Sequence, residues 1–245
     1  MVKPDRSRDL NGVSIIVCTK RRQCMGNLFR NYSRQNYKMK ELIIILNNNN
    51  LRVNEYIQAA KQYRNVRIVS LPEQVSLGHC LNYGASLSNF NLIAKFDDDD
   101  YYAPLYLTDS VHTLLKTKAD IVGKRAHYMY LSSKKLLLLR YPTKANQYVP
   151  LVQGATLLVK RHVISEVGFP DQNRGECVTF CSDSLAKGYK IYSGSSSHFL
   201  AIRRRNSKDH TWIVSDKELL TRNVKVLKVR NPRKFICQHD NFTDR

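Results

Sequence analysis

Leu92-Ile-Ala-Lys-Phe96 runs without a break into Asp97-Asp98-Asp99-Asp100, followed by Tyr101-Tyr-Ala-Pro104. A short apolar run of this kind reads as a buried strand. Four adjacent carboxylates repel one another and raise one another's pKa values, so at the end of a buried strand they require a compensating cation. Hard oxygen ligands suit Mg2+ or Mn2+. Such an ion bridges a diphosphate to the protein and neutralises charge on a leaving nucleoside diphosphate. The competing reading is an exposed acidic turn, which the buried strand immediately upstream disfavours.

Working outward, Val13 to Cys18 is a β-branched run, Glu41 to Leu46 a second buried strand, and Val66 to Ser70 a third. Helical spacing is expected over Met25 to Asn36, Val53 to Tyr63, and Leu81 to Leu87 after Gly78. The first hundred residues therefore alternate strand and helix up to Leu92–Phe96. That pattern implies an α/β fold with an open sheet, mostly parallel over this stretch, and helices on both faces. Ligands of such sheets sit beyond the carboxyl ends of the strands. Thr19, Asn47 and the four aspartates end three of them and should share one crevice.

Downstream, helices are expected at Leu105 to Lys116, with Pro104 in or near the first turn, at Arg161 to Val167 up to Gly168, and at Cys177 to Lys187, capped by Gly188. Strands are expected at Asp120 to Gly123 and Gln153 to Val159, and a hairpin within 124–150. A last helical patch near Asp216 to Arg222 precedes a strand and a basic tail after Asn223. The expected organisation is one domain over 1–222, with halves at about 13–104 and 105–222, and a basic extension over 223–245.

Forty Lys and Arg face twenty Asp and Glu, a formal net charge of +20. A field of that sign attracts nucleic acid, anionic lipid, anionic polysaccharide or a nucleoside diphosphate, and charge alone does not choose among them. The amino terminus lacks the apolar core of a secretory signal, and no run reaches the ~20 apolar residues that span a bilayer. A cytoplasmic protein is expected, with a surface suited to peripheral membrane contact. Six cysteines form no CxxC pair, and Cys177 and Cys181, four apart, make a poor zinc site by themselves. Reduced, buried thiols are the expectation.

The ordered set of motifs resembles family 2 of the glycosyltransferases, which has the GT-A, nucleotide-diphospho-sugar transferase fold, an open mixed sheet with helices on both faces. The family's opening strand and turn, V-S-I-I-x-P-T-Y-N-R, is similar to Val13-Ser-Ile-Ile-Val-Cys-Thr-Lys-Arg-Arg22. Its metal motif, D-x-D-D with a proline four residues later, matches Asp97, Asp99, Asp100 and Pro104. Gln153-Gly-Ala-Thr-Leu-Leu-Val-Lys-Arg161 and Val167-Gly-Phe-Pro-Asp171 resemble its acceptor-side segments. The likeness runs from about Val13 to Tyr192, and the late pattern R-R-x-N-x-x-x-H-T-W resembles bacterial members that decorate spore coats and cell surfaces.

The resemblance implies a metal-dependent, inverting transfer of sugar from a nucleoside-diphosphate donor, of UDP or dTDP type, to a hydroxyl of a glycan or other acceptor, in cell-surface, capsule or spore-coat glycan synthesis. Cys18, Thr19, Arg22, Asn47, Asp97, Asp98 and Arg203 would bind the nucleotide sugar. Asp99, with His210 from the late loop, would hold Mn2+ or Mg2+. A carboxylate would deprotonate the acceptor, and basic groups would meet the diphosphate.

Two positions depart from the family. Asn47 stands where an aspartate usually faces the base, which leaves the nucleotide open. Cys177 stands in the frame of the catalytic aspartate, directly after Glu176. Either Glu176 or Asp183 would then serve as base, a thiol of reference pKa about 8.5 being less suited; a donor-binding homologue with weakened catalysis is the alternative. A basic nucleic-acid-binding protein, with Tyr and Arg interleaved over Tyr128 to Arg140, accounts for the charge but not for the four aspartates. A phosphatase would need a threonine in a D-x-D-x-T frame, where Tyr101 stands.

Overall fold

A computed structural model describes residues 12–204, 214–221 and 223–238. The first part alternates as expected: β1 (Val13–Thr19), α1 (Met25–Arg34), β2 (Lys40–Leu46), α2 (Val53–Ala60), β3 (Val66–Ser70), α3 (Leu77–Ser86) and β4 (Leu92–Lys95). There follow β5 (Tyr101–Tyr102), α4 (Tyr106–Thr117), β6 (Ile121–Gly123), β7 (His127–Leu131), β8 (Leu136–Arg140), β9 (Gln147–Tyr148), β10 (Leu158–Lys160), α5 (Arg161–Val167), α6 (Glu176–Ala186), β11 (Ile191–Ser193), β12 (Phe199–Arg203), α7 (Asp216–Leu219), β13 (Val224–Leu227) and α8 (Pro232–Cys237).

The main sheet has the order β3-β2-β1-β4-β10-β6-β11-β9. Strands β3, β2, β1 and β4 are parallel, β10 runs antiparallel between β4 and β6, and β9 is antiparallel at the far edge. This is an α/β fold with a mixed sheet flanked by helices, consistent with the GT-A nucleotide-sugar transferase fold. Its strands read as apolar runs because both faces are covered. Val13, Ile15 and Val17 of β1, with Leu42, Ile44 and Leu46 of β2, join Leu28 and Phe29 of α1 and Tyr106 of α4 in one cluster. The alternate residues Ile16, Ile43 and Ile45 join Cys80 of α3, Ile164 of α5 and Phe180 of α6 in the other. Glycine matters where α3 begins, since a Cβ on Gly78 would lie 1.8 Å from the Pro170 carbonyl oxygen.

The strand expected over Gln153–Val159 divides into a 3-10 turn at Gly154–Thr156 and the shorter β10. A Cβ on Gly154 would lie 2.8 Å from Cys177 Sγ, so the turn packs closely on α6. A second sheet, β13-β8-β7-β12-β5, lies beyond the sequence reading apart from the β7–β8 hairpin and the strand expected after Asn223, which is β13. Part of the segment expected as an extension belongs to this sheet: β13 pairs with β8, and Ile236 of α8 is buried with Tyr101, Tyr128 and Leu137. None of the six cysteines is joined in a disulfide.

Candidate functional site

Parallel pairing of β1, β2 and β4 brings their carboxyl ends to one edge. The Asn47 amide donates to the Thr19 carbonyl at 2.9 Å, and Thr19 Oγ1 donates to Asp98 Oδ2 at 2.5 Å. The three polar strand ends therefore converge as the spacing implied. The carboxylates themselves diverge into four different environments.

Asp98 is 2% exposed and is held by Arg21 as well as Thr19. Burial raises its pKa against the pull of Arg21. Asp99 is more open and receives Arg21 Nη1 at 2.9 Å and Arg204 Nη2 at 3.0 Å. Asp100 is buried and accepts from the Ile202 amide at 2.9 Å. Its pKa is pushed well up by burial, with the charges of Asp99 and Asp97 adding. Asp97, the most exposed of the four, is paired with Lys95.

The backbone of the acidic turn is clamped from α1. Asn27 Nδ2 donates to the carbonyls of Asp98 and Asp100 at 2.9 and 2.8 Å, and Asn31 Nδ2 donates to the Asp100 carbonyl at 2.9 Å. Residues four apart share a helix face, which is why this pair can act together. Tyr102 stacks on Phe96 with ring centroids 3.7 Å apart. Its hydroxyl accepts from the Asp97 amide and donates to the Ala155 carbonyl, both at 2.7 Å. One phenol thus joins the acidic turn to the Gly154–Thr156 turn that packs on α6.

Glu176 opens α6 behind Gly175, whose φ of 77° suits glycine. It is buried, and Cys177 Sγ donates to its Oε1 at 3.1 Å. Burial pushes the Cys177 thiol well above its ordinary pKa, which makes it a poor base. Asp183 lies on the exposed side of the same helix. Lys95 links the two regions. Burial alone would lower its pKa, but the charge of Asp97 above all carries it upward.

The other expected residues are placed as follows. Asn47 is buried, with its Nδ2 donating to the Pro72 carbonyl at 2.6 Å. Cys18 faces Cys80 of α3, and the hydrogen bond between the thiols, followed by burial, raises the Cys18 pKa. Arg22 is exposed and pairs with Glu55 at 2.7 Å. Arg21, its neighbour, is the arginine that reaches the aspartates. Arg203 is buried and donates to the Val214 carbonyl at 3.1 Å, while Arg204 reaches Asp99. His210 lies outside the described residues. Sequence reading also passed over Lys95, Asn27, Asn31 and Tyr102; the i, i+4 asparagine spacing and the lone lysine in an apolar strand were the available signals.

Among the described residues, no group of three or more His, Cys, Asp or Glu is arranged to hold a metal ion. Asp97 and Asp99 are hard oxygen donors at the open side of the turn. They fit Mg2+ or Mn2+ in the manner of an ion that takes its remaining ligands from substrate phosphate and water.

Comparison with known proteins agrees with this geometry. The model of the family described as Glycosyl transferase family 2 matches residues 14–158. The O-antigen biosynthesis glycosyltransferase WbnJ of Escherichia coli is 29% identical over 161 residues, which cover 61% of this chain and 59% of that protein. Among solved structures, S. aureus TarS 1-349 in complex with UDP-GlcNAc has a TM-score of 0.64 at 14% identity, covering 80% of this chain and 59% of that one. The mannosyltransferase PcManGT from Pyrobaculum calidifontis, in complex with GDP-Man and Mn2+, has a TM-score of 0.61 at 15% identity, covering 80% and 58%. At such identities the structures speak to the fold, whereas the family model spans more than half of the 245 residues. The chain belongs to glycosyl transferase family 2.

Proposed function

We propose that the chain is a metal-dependent, inverting transferase that moves a sugar from a nucleoside-diphosphate donor to a hydroxyl acceptor in the synthesis of a cell-surface, capsule or spore-coat glycan. The donor half, about 13–104, and the acceptor half, about 105–222, act as one domain in this reading. One observation carries it: the buried carboxylate Glu176 opens α6, and Lys95, paired with Asp97, lies on the face of β4 whose apolar cluster includes Cys177, the neighbour of Glu176.

Glu176 takes the proton of the acceptor hydroxyl as that oxygen forms a bond to the anomeric carbon. The bond from the anomeric carbon to the diphosphate oxygen breaks on the opposite face, so the configuration inverts and the electron pair leaves on the nucleoside diphosphate. Arg21 and Arg204, which hold Asp98 and Asp99, are positioned to meet that developing charge. Asp97 and Asp99 would hold Mn2+ or Mg2+, which supplies neutralisation of the diphosphate when bound. Cys177 in the usual aspartate frame supports a second reading, donor binding with weakened turnover.

The UDP and GDP ligands named with the related structures belong to those proteins; here the nucleotide is to be found by titration. Calorimetry with UDP, dTDP and GDP, each with Mn2+, Mg2+ or chelator, should show one nucleotide binding in an ion-dependent way. The matching sugar nucleotide should then be hydrolysed slowly. Binding without hydrolysis or transfer would favour the second reading, and no nucleotide binding with either ion would sink both. A cytoplasmic site of action, with the basic surface against a membrane or an anionic glycan, completes the proposal.

A further inference from the structure

Lys95 is the last residue of β4, and its neighbours in that strand are apolar. In a strand, residues two apart share a face. Lys95 therefore follows Ile93, whose cluster includes Phe180, Cys177 and Cys181 of α6. Its side chain is only 8% exposed, and its ammonium turns forward onto Asp97. Burying an ammonium is costly, and a buried ion pair is often no more stabilising than packed apolar residues of similar size. Stability is therefore a weak account of this lysine. Its position supplies another, because its ammonium pairs with Asp97 while its strand face packs toward α6, the helix that Glu176 opens.

We infer that Lys95 is a positioning residue: a resident cation that holds Asp97 when no divalent ion is bound, yields it when one arrives, and fixes the geometry between the donor carboxylate and Glu176. This rests on the transferase reading above. Lys95 touches neither the acceptor hydroxyl nor the anomeric carbon, and it acts through Asp97 and Glu176. Because its charge competes with a divalent ion for Asp97, removing that charge strengthens binding of the bare ion. The same change loosens the arrangement in which transfer occurs.

The test compares Lys95→Met and Lys95→Gln, which remove the charge, with Lys95→Arg, which keeps it, after thermal unfolding identifies the folded variants. Mn2+ alone is titrated by calorimetry. Hydrolysis of UDP-, dTDP- and GDP-sugars gives kcat and KM. The neutral variants should bind Mn2+ about tenfold more tightly, as expected when a like charge is removed from the site. Their kcat should fall by about 100-fold, in the range of a misplaced acid–base group, with donor KM within about threefold. Lys95→Arg should return both values toward those of the unsubstituted protein. Unchanged Mn2+ affinity in a folded neutral variant, or Lys95→Arg as impaired as Lys95→Met, would overturn the inference. If the unsubstituted protein neither binds nor hydrolyses any sugar nucleotide, the transferase reading fails, and the Mn2+ titration still decides the role of Lys95.

Discussion

Glu176 and Cys177 occupy adjacent positions at the start of one helix with opposite consequences. Both are buried, but Glu176 offers oxygen to its neighbour, whereas the thiol is held protonated by its surroundings. A helix amino terminus favours a carboxylate, and Asp183, two turns on, lies on the exposed side. Glu176→Gln should therefore lower kcat by about 100-fold or more with donor affinity nearly unchanged, while Asp183→Asn should stay within about twofold; steady-state kinetics of both variants decide between them. A second residue-scale contrast is Arg21 against Arg22. The family pattern draws attention to Arg22, since that position ends the matched motif, but sequence alone does not say which of two adjacent arginines turns inward. Arg21 does, and it compensates the nearly inaccessible Asp98. Arg21→Met strands that carboxylate and should cost about 3 kcal/mol, read from denaturant unfolding, whereas Arg22→Met should leave the unfolding curve in place.

At the scale of elements, β3 and α5 fall on the residues that hydrophobic spacing and the Gly168 stop imply. Both are local patterns. The second sheet is different, because its five strands come from Tyr101–Tyr102, His127–Leu131, Leu136–Arg140, Phe199–Arg203 and Val224–Leu227. One is two residues long, and the pairing of β12 with β5 and β7 spans distant sequence, so no window of sequence displays it. This sheet places Ile202 on Asp100 and leads Arg204 to Asp99, which is why that contact with the acidic turn was illegible beforehand. It also buries His127 of β7. The Nδ1 of that ring lies 3.0 Å from the Arg125 carbonyl, to which it donates in the neutral form. Burial first, then the charges of Arg140 and Arg125, push its pKa down to about 4 from 6.5. The unfolded chain binds this proton more readily between those values, so stability from neutral His127 is fully present above pH 6.5 and is lost as pH falls toward 4. The loss amounts to about 3 kcal/mol over that window. His127→Phe should lack this component, so the difference in unfolding free energy between the two proteins should change with pH by that amount. A pH-independent difference would show that His127 is not buried in its neutral form.

For the whole molecule, the net charge of +20 is unevenly used. Arg21, Arg204 and Lys95 pair with three of the four aspartates, Asp98, Asp99 and Asp97, and Asp100 accepts from the Ile202 amide, which accounts for a cluster that could otherwise not persist at a buried strand end. The remaining basic groups leave a cationic exterior. Arg34 and Arg233 flank the Tyr101 ring at 4.6 and 5.0 Å, with exposed Arg30 and Lys234 on the neighbouring parts of α1 and α8. Burial lowers the Arg34 pKa, and the charges of Arg233 and Arg30 lower it further, which marks a place where like charges are gathered. Among the described residues, no helix is long and apolar enough to cross a membrane. This cationic face offers surface charge to an anionic bilayer. Such attraction falls off within a Debye length and weakens with salt. Vesicles containing phosphatidylglycerol should sediment the protein at low salt and release it as salt rises, and vesicles of phosphatidylcholine alone should not sediment it. Replacing Arg30, Arg233 and Lys234 together by alanine should weaken the interaction by roughly 100-fold, as expected for three basic residues near a charged surface. Nucleotide binding should be preserved in that variant, because none of the three touches the aspartates. Equal sedimentation by both kinds of vesicle, or an unaffected triple variant, would assign the positive field to a partner other than the membrane.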